Sequence, residues 1–159
     1  MIQRIQTVFL FLVAVAMVLA VAFPIWQQVN VGQTELASMD AWSLSVSVIE
    51  TEEVLTSTSV FYIGLLALVV AGMAIFSLLQ FKNRGKQMLI NMVNSLLMAV
   101  MLGLVVYTTY SFNAEFNPQA NGAFVLGFWA IIGGMIMNLL ANRFIRKDEM
   151  LVRSVDRIR

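Results

Sequence analysis

The stretch from Phe61 to Gln87, FYIGLLALVVAGMAIFSLLQFKNRGKQ, decides the fold class. Up to Phe81 it holds no charged residue, and it is long enough for the roughly 20 residues that cross a hydrocarbon core about 30 Å thick. Lys82, Arg84 and Lys86 then crowd into a short connection, and a second charge-free run starts at Gln87. Two apolar helices joined so briefly are antiparallel neighbours. Gly85 suits a left-handed cap that stops the first of them. The basic connection belongs on the cytoplasmic side of a membrane.

Working outward, charge-free stretches cover Ile5–Thr34, Val54–Phe81, Gln87–Ala114 and Phe116–Asn142. With polar ends trimmed, spans are expected near 7–26, 59–81, 88–107 and 122–142. Arg4 precedes the first span, and Arg143, Arg146, Lys147, Arg153, Arg157 and Arg159 follow the fourth. All ten basic residues therefore fall on one side. The loops on the other side hold only acids: Glu35, Asp40, Glu50, Glu52, Glu53 and Glu115. This is the asymmetry of a multi-pass protein with both termini in the cytoplasm. Arg4 and Ala20-Val21-Ala22 imitate a secretory signal, but the apolar core exceeds the usual 7–15 residues and Pro24 follows closely. A retained helix is expected.

The expected fold is an all-α membrane protein. Residues 1–159 form a single domain of four transmembrane helices in an up-down antiparallel bundle. Residues 27–58 form an outer loop and 143–159 a basic cytoplasmic tail. Trp42-Ser43-Leu44-Ser45-Val46-Ser47-Val48 alternates apolar and polar residues, as a half-exposed strand does. Gln28–Val31 is its weaker candidate partner, so a small β-hairpin is expected in the outer loop. Thr51–Val54 offers an alternative, as an N-terminal extension of the second helix with its acids near the positive end of the helix dipole. In the tail, Leu151, Val155 and Ile158 repeat at helical spacing with the cations largely off that stripe. That pattern predicts a C-terminal amphipathic helix on the inner leaflet.

Composition narrows the function. The chain is 60% hydrophobic and 12% charged, against about 45–50% and about 25% in soluble domains. It has no cysteine and no histidine, which removes thiolate chemistry, the commonest general base and the commonest zinc ligand. No nucleotide or hydrolase fingerprint is present. No catalytic residue, cofactor or metal is expected, and no nucleic-acid partner. No span holds an ionisable residue, whereas ion-coupled transporters place one at membrane depth.

Two groups of residues remain as candidate contacts. Lys82, Arg84, Lys86, Arg143, Arg146, Lys147, Arg153 and Arg157 form a candidate surface for a partner or for anionic lipid. Asn91, Asn94 and Ser95 share one helix face by their spacing, and Asn138 lies at similar depth; they are candidate intramembrane polar contacts. The commoner use of such residues is intramolecular glue between helices. Small residues four apart, such as Ala16 and Ala20 or Ala130 and Gly134, permit close helix packing.

The start Met1–Thr7, the segment Phe81–Arg84 and the tail Ala141–Glu149 with Leu151–Ser154 and Asp156-Arg157 resemble an uncharacterised family. Its members are small four-span inner-membrane proteins of Bacteroidetes that carry a domain of unknown function. The resemblance covers the whole chain and implies a bacterial inner-membrane address, but no activity. A looser likeness to claudin-type proteins is architectural, because the paired loop cysteines of that group are absent. The expected function is that of a non-enzymatic inner-membrane scaffold or accessory subunit. Its expected partners are the lipid bilayer and another membrane protein or a second copy. The alternative is binding or transport of lipid or a small hydrophobic molecule.

Overall fold

The structure is a computed structural model and describes residues 3–80 and 83–156. Four helices, α1 (Gln3–Ala22), α2 (Phe61–Leu79), α3 (Arg84–Phe116) and α4 (Leu126–Asp156), are long and apolar enough to cross a membrane. Between α1 and α2 run four strands: β1 (Trp26–Val29), β2 (Glu35–Met39), β3 (Ser43–Val48) and β4 (Val54–Ser59). A fifth, β5 (Ala123–Phe124), precedes α4.

The all-α bundle expected from the sequence is overturned. The five strands form one antiparallel sheet in the order β4-β3-β2-β1-β5. The expected partner strand was also wrong, since β2 lies between β1 and β3. Local chemistry explains the sheet. The residue before a proline avoids the helical region, so α1 ends at Ala22, before Phe23-Pro24, and Ile25 donates its N–H to the Met39 carbonyl at 2.7 Å. The Asn30 side chain accepts from the N–H groups of Thr34 and Glu35 at 2.9 and 3.2 Å, turning β1 into β2. Asp40 does the same for Trp42 and Ser43, both at 2.7 Å, turning β2 into β3. Thr51–Val54 does not open α2; Glu52 takes a left-handed φ of 55° in the turn into β4.

The helices pack in a ring, α1 against α2 and α4, and α3 against α2 and α4. Each buries a seam stepping by four and three residues: Leu10, Val13, Met17 and Ala20 in α1; Ile63, Ala67, Val70 and Ala74 in α2; Met98, Met101 and Val105 in α3. That step is the knobs-into-holes period of antiparallel and parallel helix pairs alike. Large apolar side chains also cover the outside, among them Phe11, Val18, Leu65, Phe76, Leu96 and Val106. An exterior this apolar suits hydrocarbon rather than water.

Sheet and helices meet at contacts without a Cβ. A Cβ on Gly127 would lie 2.7 Å from the Pro24 carbonyl oxygen and 2.8 Å from that of Phe23. One on Gly64 would lie 2.7 Å from the Trp42 ring and 2.9 Å from the Ala41 oxygen. In each case the glycine N–H donates to one of those carbonyls, at 2.9 and 2.8 Å. The backbone leading into β1 and that joining β2 to β3 are thereby seated directly on the first turns of α4 and α2.

α3 runs past the expected end at Tyr107 because its last turns are part of the sheet's support. Asn117 donates to the Val29 carbonyl at 2.8 Å, Gln28 donates to the Asn113 side chain at 3.3 Å, and Phe112 meets Trp26 edge-on at 6.2 Å. At the other end, Gly85 has no positive φ and lies inside α3. Asn83 caps that helix, its side chain accepting from the Lys86 N–H at 3.2 Å. The separate tail helix is also replaced: α4 continues unbroken from Leu126 to Asp156. No glycine or proline lies between Asn142 and Asp156 to interrupt it.

Candidate functional site at the basic end

The end opposite the sheet gathers the α2–α3 connection, the start of α1 and the last turns of α4. Arg84, the first residue of α3, places its Nη1 2.6 Å from Oδ2 of Asp148 in α4. Gln6 of α1 donates to the same oxygen at 3.5 Å. The two charged side chains retain 20% and 14% of their exposure, so the ion pair is largely shielded from water. One turn away, Phe9 and Phe144 stack with centroids 5.5 Å apart. Three helices are thus bolted together at this end.

That bolt divides the candidate basic surface. Arg84 is spent on structure. Lys86, Arg143, Arg146 and Lys147 are exposed. Arg146 and Lys147 lie three and four residues after Arg143, so the three share a face of α4. Ile145 is buried on the opposite side of the same helix. Arg146 also borders a cleft of about 580 Å³ with Gly85, Met88, Glu149 and Met150. Arg153 lies in α4, but its side chain is outside the described residues, as are Lys82 and Arg157 entirely.

Deeper between the helices lies the polar cluster. Ser77 of α2 donates to Oδ1 of Asn91 at 2.6 Å, and Gln87 donates to the Ser77 carbonyl at 3.1 Å. Asn138 of α4 donates to the Asn91 carbonyl at 2.7 Å and to Ser95 at 2.8 Å. Asn91, Ser95 and Asn138 are therefore brought together, with Ser77 and Gln87 added to them. Gln87 carried no sequence signal beyond its place at a helix start. Asn94 is fully buried on the same seam, yet neither of its side-chain polar atoms has a partner among the described residues.

The sheet end also holds a cleft, of about 590 Å³, bordered by amides including Gln28, Asn30, Asn117 and Gln119. Three of these already brace the strands. Among the described residues no group of three acidic side chains gathers to hold a metal ion.

A family model spans residues 2–158. The chain belongs to the family described as Domain of unknown function (DUF4293). No curated protein matches it. Family membership extends over every helix and strand described above, so the sheet and the helices are parts of a single family unit.

Proposed function

We propose that the chain is a non-enzymatic integral subunit of a larger assembly in a bacterial inner membrane, with the basic end cytoplasmic and the sheet outside. The orientation is supported by the absence of Lys and Arg from both loops at the sheet end, the sign expected of translocated loops. One observation carries the functional reading. α4 has 31 residues, about 46 Å at the usual rise, while the hydrocarbon core is about 30 Å thick. Its final turns project past the apolar layer with Arg143, Arg146 and Lys147 exposed on one face, anchored at the base by Arg84 and Asp148. A stiff, basic, single-sided projection suits docking to an acidic partner surface. Purification in mild detergent after crosslinking in the native membrane tests this. A crosslinked partner held through α4 supports it, and a monodisperse monomer without one overturns it.

The second reading, lipid binding, is favoured by the cleft at Gly85, Met88, Arg146 and Met150. Adaptable methionines beside a cation suit an anionic lipid whose chain lies against α3 and α4. Met98 and Met101 do not contribute, since both are packed in the core. Native mass spectrometry that retains no lipid would remove this reading.

A further inference from the structure

The sheet has unequal edges. At one, β5 is two residues long and Phe124 is stacked on Phe128 of α4 at 4.1 Å. At the other, β4 is six residues long, and every one of them is exposed. Directly opposed residues on paired strands share a face. Thr58 and Thr56 are opposite Leu44 and Val46, which are buried, yet both threonines are exposed. β4 therefore overhangs the helices rather than resting on them.

The direction of its free hydrogen-bonding groups follows from the ladder. Val60 donates its N–H to the Trp42 carbonyl at 2.8 Å, in step with the register that pairs Ser59 with Ser43. Alternation along an antiparallel pair then turns the backbone groups of Thr58 and Thr56 toward β3 and those of Ser57 and Ser59 outward. Exposed edges are ordinarily guarded by lysine, proline, charge or a bulge. Val54-Leu55-Thr56-Ser57-Thr58-Ser59 has no lysine, proline or charge. The one irregularity, between Val46 and Ser47, falls opposite the Val54 end and leaves Thr56–Ser59 in regular register.

We propose that β4 is a strand-addition site for an extended segment of a different polypeptide, laid antiparallel and carrying Lys or Arg at its C-terminal end. Main-chain hydrogen bonds to Ser57 and Ser59 supply the pairing, as in other β-augmentation complexes. The charges choose the occupant. Glu50, Glu52 and Glu53 stand at the start of β4, where the C-terminal end of an antiparallel strand arrives. A second copy laid the same way would bring Ser59 and Val60 to these acids and no cation, because neither loop at this end carries a basic residue. A basic partner is complementary. This inference rests on the chain being an accessory subunit, but it uses the end opposite the basic face of α4.

The test uses the full chain in nanodiscs and two fluorescent peptides of alternating Val and Thr, one ending in three lysines and one beginning with them. Fluorescence anisotropy is expected to show the lysine-ending peptide binding about tenfold more tightly at low salt. Ser57→Pro removes an outward N–H that the sheet does not use, so it is expected to abolish binding with little change in melting; Ser57→Thr keeps the N–H and is expected to bind. Reversing Glu50, Glu52 and Glu53 to Lys lies outside the strand and is expected to exchange the preference between the peptides. Equal binding of both peptides, binding that survives Ser57→Pro, or a preference untouched by charge reversal overturns the proposal. So does a Ser57→Cys disulfide between two copies. The crosslinking experiment at α4 is unaffected by any of these results, so failure at β4 and failure of the subunit reading remain separate.

Discussion

Arg84 at the head of α3 and Asp148 near the end of α4 meet at 2.6 Å, and Gln6 of α1 reaches the same carboxylate. The pair fixes how far α4 can swing at the end where its basic face emerges. Orientation and architecture are thus joined in one contact: a residue that helps keep the connection on the basic side also sets the angle of the projecting helix.

Removing Asp148 strands a shielded guanidinium. Asp148→Ala is expected to cost about 2 kcal/mol, the scale of a hydrogen bond to a charged group. The Arg84→Gln, Asp148→Ala double variant should recover part of that, with a coupling on the order of 1–2 kcal/mol. Equilibrium unfolding in mixed micelles measures all four corners of the cycle. A coupling of zero would mean the two residues act independently.

The glycines that seat the sheet are expected to rank by what their Cβ would strike. Gly127→Ala meets two backbone oxygens that cannot rotate away and should cost about 1–3 kcal/mol, the scale of overpacking. Gly64→Ala meets one backbone oxygen and the Trp42 ring, which is 43% exposed and can shift, so its cost should be smaller. Gly133→Ala meets nothing within 4 Å and should stabilise α4 by about 0.5–1 kcal/mol. The order of thermal midpoints checks the three together.

The absence of cysteine makes orientation directly measurable. Single cysteines at Ser57 and Gln119, both exposed at the sheet end, should react with an impermeant maleimide in intact cells. Cysteines at Asn83 and Lys147, exposed at the basic end, should react only after permeabilisation. Reaction of Lys147→Cys from outside would invert the orientation or change the number of crossings.

The sequence made some of this legible and hid the rest for physical reasons. Hydropathy located the four helices because crossing hydrocarbon demands a long uncharged run, as Phe61–Phe81 shows. β3 was legible because Leu44 and Val46 face the core and the serines between them do not. β4 was not: its overhang exposes both faces, so Thr56-Ser57-Thr58-Ser59 needs no apolar alternation. β5 is too short to carry a period, and the outer turns of α3 are defined by Asn113 and Asn117 bonding to β1, which is distant in sequence. At the candidate site, exposed cations were visible as charge, but only the fold shows that Arg84 is committed to Asp148 while Arg146 stays free of that pair.

The buried amides give the sharpest contrast between similar residues. Asn138 donates twice across the α3–α4 interface, so Asn138→Leu leaves the Asn91 carbonyl and Ser95 without that donor. It is expected to cost about 1–2 kcal/mol, the upper range for hydrogen bonds between helices in a membrane. Asn94 is equally buried, but neither polar atom of its side chain has a hydrogen-bond partner among the described residues. Replacing a buried polar group that lacks a partner by an apolar one of similar size relieves its desolvation cost. Asn94→Leu should therefore leave stability unchanged or raise it by about 1 kcal/mol. Unfolding of both variants in mixed micelles decides the matter. If Asn94→Leu costs as much as Asn138→Leu, Asn94 has a hydrogen-bonding role that the protein's own groups do not supply.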